Sequence, residues 1–182
     1  VPGGDDDSQG RGRADHHGPG PRDHRGDLRI AALHNPPALV DAARRGDRAA
    51  IAKLISLVEA GGDAATEAVG RLYLSTGGAY TIGMTGAPGS GKSTLTDKLI
   101  GLIRGSGNEV GVLAIDPSSP FSGGAILGDR VRMQDHATDE GVFIRSMATR
   151  GHLGGLSLAT PQAVRILDAA GKPWIIIETV GV

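Results

Sequence analysis

The sequence predicts an α/β fold organised around a parallel sheet, and three observations carry that prediction. Four short apolar runs, Thr81–Met84, Glu109–Ile115, Val142–Ser146 and Trp174–Thr179, are rich in β-branched residues and too continuous to be half-exposed antiparallel strands. Stretches with helical spacing, Ser93–Arg104 and the segment from Thr160 to Gly171, lie between them. A glycine-rich loop at 86–93 joins the first run to the first of those helices. Strands separated by helical crossovers pair in parallel with right-handed connections, and such sheets place ligands at the carboxyl ends of their strands.

Ahead of the sheet, Val1–Asp27 is Gly, Asp, Arg, His and Pro with almost no apolar side chains, too few to offset the entropy of ordering. Residues 1–27 are therefore expected to be a disordered head. Within it, Asp15-His16-His17-Gly18-Pro19-Gly20 fits a D-x-H-x-x-G pattern by which some domains present a histidine to cobalt in cobalamin. That motif needs a preceding strand and an enclosing α/β domain, which this stretch does not offer. Asp5, Asp6, Asp7, His16, His17 and His24 are likewise taken as solvated tail residues rather than a transition-metal site.

Structure is expected from about Pro37. A short helix, Ala38–Arg45, is followed by one that Asp47 caps and Gly61-Gly62 closes, with Ile51, Leu54, Ile55 and Val58 on a single face. A third helix, Ala64–Leu74, completes a helical prefix over 37–77, and its apolar stripe is expected to be core rather than a partner groove. The sheet domain then occupies 78–182.

Residues 86–93, Gly-Ala-Pro-Gly-Ser-Gly-Lys-Ser, complete a GxxxxGK[ST] phosphate loop between strand and helix. Backbone N–H groups of Gly89, Ser90, Gly91 and Lys92 are expected to wrap phosphate oxygens, because glycine lets the backbone approach without a Cβ clash. Lys92 supplies positive charge to the outer phosphates and Ser93 a hydroxyl for Mg2+, at the positive end of the helix they begin. Gly86, Ala87, Pro88 and Thr94 complete the nucleotide-binding set.

Farther along, Asp116 follows the second strand in Ala114-Ile115-Asp116-Pro117-Ser118-Ser119-Pro120. A carboxylate there can hold a magnesium water, orient the attacking water, or simply cap the next turn. The last helix is punctuated by Thr160 as N-cap, Pro161 as its first residue and Gly171 as its stop, with Val164, Ile166 and Leu167 free to pack. Glu178 ends the fourth strand in Ile175-Ile176-Ile177-Glu178-Thr179-Val180-Gly181, the Walker B position, where an acid usually meets magnesium directly or through water. The Gly181 N–H is placed to approach a terminal phosphate and couple hydrolysis to movement of this segment.

Composition excludes several classes. A formal net charge of -1 and 3% aromatic residues give no nucleic-acid surface, where a basic face or stacking aromatics are expected. With no cysteine there are no disulfides and no thiolate metal sites. No apolar run is long enough to span a membrane, and the N-terminus has no signal-peptide core, so a cytoplasmic location is expected.

Gly86–Thr94 as GAPGSGKST, Asp116–Met133 as DPSSPFSGGAILGDRVRM, Met147–Leu156 as MATRGHLGGL and Glu178–Gly181 as ETVG together resemble the MeaB/ArgK-type GTPases, over about Pro37 to Val182. That resemblance implies a chaperone of adenosylcobalamin-dependent methylmalonyl-CoA mutase that binds GTP and GDP with Mg2+ and hydrolyses GTP; some members carried an older label as kinases of arginine and ornithine transport. It also implies that Asp116 and Asp129 are switch-region carboxylates near the magnesium, that Glu178 is the Walker B acid, and that Lys92 and Ser93 take the usual phosphate-loop roles. His152, in the RGHLGGL turn, is assigned no chemistry.

Members of the family continue past ETVG to an N/T-K-x-D motif that reads guanine and to helices used in dimerisation. No N/T-K-x-D occurs in this sequence, which ends at Val182. It is therefore read as the N-terminal portion of such a GTPase, truncated after the Walker B segment, with an apolar sheet edge open to further strands and a homodimer expected for the full-length form. A nickel-type metal-insertion GTPase and a small-molecule kinase remain as alternatives.

Overall fold

The computed structural model describes residues 35–116, 136, 138–148 and 159–179. The head at 1–27, Asp129, Gly181 and most of the 116–133 and 147–156 blocks lie outside the described residues.

Helix α1 (Pro36–Arg44) opens on two prolines, whose fixed φ suits a first turn that lacks intrahelical N–H bonds. Helix α2 (Arg48–Ala60) starts where the Asp47 carboxylate accepts the Ala50 N–H at 2.9 Å, as its sequence predicts. It stops at Gly61, whose φ of 78° suits a residue without Cβ. Helix α3 (Asp63–Leu72) begins one residue ahead of expectation and tightens into a 3-10 turn at Tyr73–Ser75. The predicted apolar face of α2 is core: Ile51, Leu54 and Ile55 are fully buried and Val58 nearly so.

Strands β1 (Tyr80–Met84), β2 (Val110–Asp116), β3 (Val142–Ala148) and β4 (Trp174–Thr179) form a single parallel sheet in the order β1-β4-β2-β3. The strand that comes last in sequence thus sits inside, beside the strand that leads into the phosphate loop. Its register sets Glu178 opposite both Met84 and Ala114, and Ala114 opposite Ser146, so these four residues make one row across the sheet.

Helix α4 (Lys92–Gly105) covers one face, where Ile100 and Ile103 pack on Val110, Val112, Val142 and Ile176. The prefix helices and α5 (Thr160–Ala169) cover the other, where Leu54, Ile166 and Leu167 share a core with Leu113, Ile115, Met147 and Ile175. The inner strands β2 and β4 are buried on both faces and read as continuous apolar runs, whereas β1, at the sheet edge, stays largely exposed.

One predicted cap is corrected. Thr160 is not the N-cap of α5: Ala159 holds that position, Thr160 is the first helical residue and is 2% exposed, and Pro161 stands second. Proline is tolerated anywhere in a first turn, so it marks the helix start only to within a residue. Gly171, with φ 80°, ends the helix as expected.

Polar ties hold the layers in register. The Asp168 carboxylate on α5 accepts the N–H groups of Gly77 and Ala79, which lead into β1. Arg145 on β3 reaches Ser56 and Glu59 on α2 at 2.7 and 3.3 Å. At the far end of α4, Arg104 clasps both oxygens of Asp139 at 2.8 and 2.9 Å and donates to the Asn108 carbonyl at 2.7 Å.

Candidate phosphate and metal site

β1 ends at Met84, and the chain then turns through the glycine-rich loop into α4. Gly91, the residue ahead of the helix, lies in the left-handed region at φ 87°, and Gly89 does so at 74°. A side chain at either position would be strained, so the turn that aims the helix N-terminus at the loop depends on glycine there. The Ser90 N–H bonds back to the Ala87 carbonyl at 3.2 Å, and Leu95 makes a helical bond to Gly91 at 2.9 Å. N–H groups of the first helical turn, including Lys92 and Ser93, have no intrahelical acceptor, and the helix dipole adds partial positive charge at the same place.

Lys92 lies along this loop. Its ammonium donates to the carbonyls of Gly86 at 2.8 Å and Ala87 at 2.9 Å, which stations a positive charge at the loop without burying it. Ala87, Pro88, Gly89, Ser90, Gly91 and Thr94 are exposed, so an anion can reach the backbone from solvent.

On the inner side of the helix start, the Ser93 hydroxyl donates to Glu178 Oε1 at 2.6 Å. Glu178 is 9% exposed, and its other oxygen, Oε2, is buried without a hydrogen-bond partner among the described residues. This contact joins residues 85 apart in sequence and exists because β4 inserts next to β1. Asp116 ends β2, the other neighbour of β4, so its backbone lies at the same carboxyl edge of the sheet.

A small hard cation fits this donor set. A serine hydroxyl and a buried carboxylate with an oxygen to spare are the ligands that Mg2+ takes from a protein when phosphate and water supply the rest. Among the described residues no three His, Cys, Asp or Glu side chains gather into a cage that would hold a metal unaided.

Two residues that sequence reasoning does not single out lie beside this site. Thr96 falls one turn after Ser93 and is fully buried, and Ser146 shares the row of Glu178. The i, i+3 spacing from Ser93 is the signal that could have marked Thr96.

The family described as Methylmalonyl Co-A mutase-associated GTPase MeaB matches residues 51–182. The chain belongs to this MeaB family. A Pyrococcus abyssi relative that carries a GTPase name is 59% identical over 144 residues, covering 79% of this chain and 44% of its own length. The GTPase ArgK of Escherichia coli is 41% identical over 143 residues, covering 76% and 43%. The mouse protein named methylmalonic aciduria type A homolog, mitochondrial, is 41% identical over 103 residues, covering 57% and 25%. The chain thus spans about half the length of the first two, or less. Among solved structures, a LAO/AO transport system kinase superposes with a TM-score of 0.60 at 30% identity, over 84% of this chain and 44% of that one. The parallel sheet with its phosphate loop is therefore a P-loop NTPase fold, as MeaB membership implies, and no described helix is long and apolar enough to cross a membrane.

Proposed function

We propose that this MeaB-family chain binds GTP and GDP with Mg2+ at the 86–94 loop, and that the protein it represents hydrolyses GTP to GDP and phosphate. The observation that carries this reading is the 2.6 Å contact between Ser93 and Glu178, which sets a Walker A hydroxyl and a Walker B carboxylate side by side next to Lys92. The loop amides and Lys92 hold the phosphates and stabilise charge developing on the transferred phosphoryl group. Lys92 is free to do this by exchanging two carbonyl acceptors for phosphate oxygens, a stronger charge-assisted pairing. Ser93 and Glu178 would hold the cation; the family resemblance assigns Asp116 and Asp129 as switch carboxylates, and its place after the fourth strand assigns Gly181 as a phosphate-sensing residue. The Mg2+ neutralises phosphate charge when bound.

At the level of the whole protein, the cycle serves as a chaperone for adenosylcobalamin-dependent methylmalonyl-CoA mutase, assisting cofactor loading and protecting the enzyme, in a homodimer. Support comes from the family's mutase-associated description and the mouse relative's name. In this reading 37–77 is a helical prefix and 78–182 belongs to the GTPase domain. The cytoplasm is the expected compartment. A kinase of small molecules is the second reading, favoured by the solved transport-system kinase.

Calorimetric titration with Mg2+–GDP tests the site. Lys92→Ala is expected to weaken binding by at least about a hundredfold, since two charged hydrogen bonds at roughly 1.5–3 kcal/mol each are lost. Equal affinity after that change would remove the phosphate-loop assignment. Release of inorganic phosphate from GTP supports hydrolysis, whereas a phosphorylated amino acid would establish the kinase reading instead.

A further inference from the structure

Three buried side-chain oxygens near the site lack a partner among the described residues: Thr96 Oγ1 on α4, Ser146 Oγ on β3 and Glu178 Oε2 on β4. They converge. In the row Glu178–Ala114–Ser146 neighbouring strands lie about 4.8 Å apart, and between the two polar residues stands only a methyl group. Strand alternation puts all three on the α4 face, because Ile176, Val112 and Val142 earlier on the same strands pack against Ile100 and Ile103. Along α4, Ser93 touches Glu178 and Ile100 lies in that apolar cluster, so Thr96, midway between them and 0% exposed, stands over the row. An unpaired buried hydroxyl or carboxylate oxygen carries a desolvation cost, and three gathered above an alanine make a polar site of the kind that internal water occupies, typically with about three hydrogen bonds.

We propose that Thr96 and Ser146 are positioning residues for Glu178, joined to its Oε2 through one or two internal water molecules, and that this network sets how tightly the site holds Mg2+. The water donates to the carboxylate oxygen and accepts from the two hydroxyls, which keeps Glu178 aimed while Oε1 faces Ser93. Partners of this indirect kind govern cation affinity by fixing the orientation of the direct ligand. The inference rests on the reading of Glu178 as a magnesium-holding residue.

The test uses the full chain with Thr96→Val, which removes the hydroxyl at constant shape, Ser146→Ala, Thr96→Ser and Glu178→Gln. Two quantities are measured: the urea midpoint without nucleotide, and the Mg2+ concentration that half-saturates GDP binding. Thr96→Val and Ser146→Ala are each expected to lower the midpoint and to raise the half-saturating Mg2+ by about tenfold. Thr96→Ser should preserve both. A dry, orphaned hydroxyl gives the opposite sign, a higher midpoint for Thr96→Val, and that result overturns the proposal. So does a lower midpoint with unchanged Mg2+ dependence, the mark of a purely structural role. If Glu178→Gln shifts the Mg2+ dependence while the two hydroxyl variants do not, only the network fails. If Glu178→Gln leaves it unshifted, the magnesium reading itself fails and takes the network with it.

Discussion

The two faces of the sheet differ in what they bury. Beneath the prefix helices and α5 most contacts are apolar, with Ile51, Leu54, Ile55, Ile166 and Leu167 fully removed from water, and a polar contact there, Arg145 with Ser56 and Glu59, ties strand to helix. On the α4 face an apolar cluster at the amino ends of the strands gives way, toward their carboxyl ends, to Thr96, Ser146 and Glu178. The outer side of α4 also leaves Leu95 and Leu102 at 60% and 73% exposure. One face therefore supplies most of the apolar burial that stabilises the fold. The other gives up some of that burial to place polar groups at the site to which we assign phosphate and cation, a division expected when a ligand site is built on a rigid scaffold.

Truncating one fully buried residue on each face tests that contrast. Leu54→Ala is expected to cost about 2–5 kcal/mol in urea unfolding, in the upper part of that range because its neighbours cannot collapse into the cavity. Ile100→Ala should cost less, near 2 kcal/mol, because half-buried Ile82, Met84 and Leu99 border it and can relax inward. Equal costs would mean that the two faces are packed alike.

Acid should act next, and on the α4 side. The hydrogen bond from Arg104 holds the Asp139 carboxyl below the ordinary carboxylate range. The folded state then binds fewer protons than the unfolded one, so the stabilisation is fully present above the ordinary value and is lost as pH falls through the lowered one. Unfolding midpoints between pH 6 and pH 3 should fall less steeply in Asp139→Asn than in the native chain; identical slopes would remove the ion pair from the account. Because both side chains are partly exposed, the effect is modest. Leu102→Gln is the smallest change, expected within about 0.5 kcal/mol of the native chain, and a larger loss would show that this surface is covered in solution.

Much of this was legible without coordinates. The four strands fall within one or two residues of their apolar runs, the Asp47 cap and the glycine stops at 61 and 171 are where local chemistry requires them, and the phosphate loop joins strand to helix. Each of these is decided by residues adjacent in the chain. Thr160 shows the limit even there, since a threonine before a proline satisfies the pattern for a cap and for a first helical residue alike. The spacing did not reveal that β4 lies between β1 and β2, nor that Ala114 and Ser146 share a row with the carboxylate.

By itself, the sequence determined the kinds of element, their bounds to within a residue or two, and the loop and acid to which the proposed function assigns phosphate and cation, because backbone propensity, side-chain period and glycine conformation act over a few residues. Only the tertiary structure decided which strand adjoins which, and with it that Ser93 meets Glu178 and that Ser146 falls in the same row. Parallel pairing depends on contacts between segments dozens of residues apart, and strands buried on both faces carry no local mark of their neighbours.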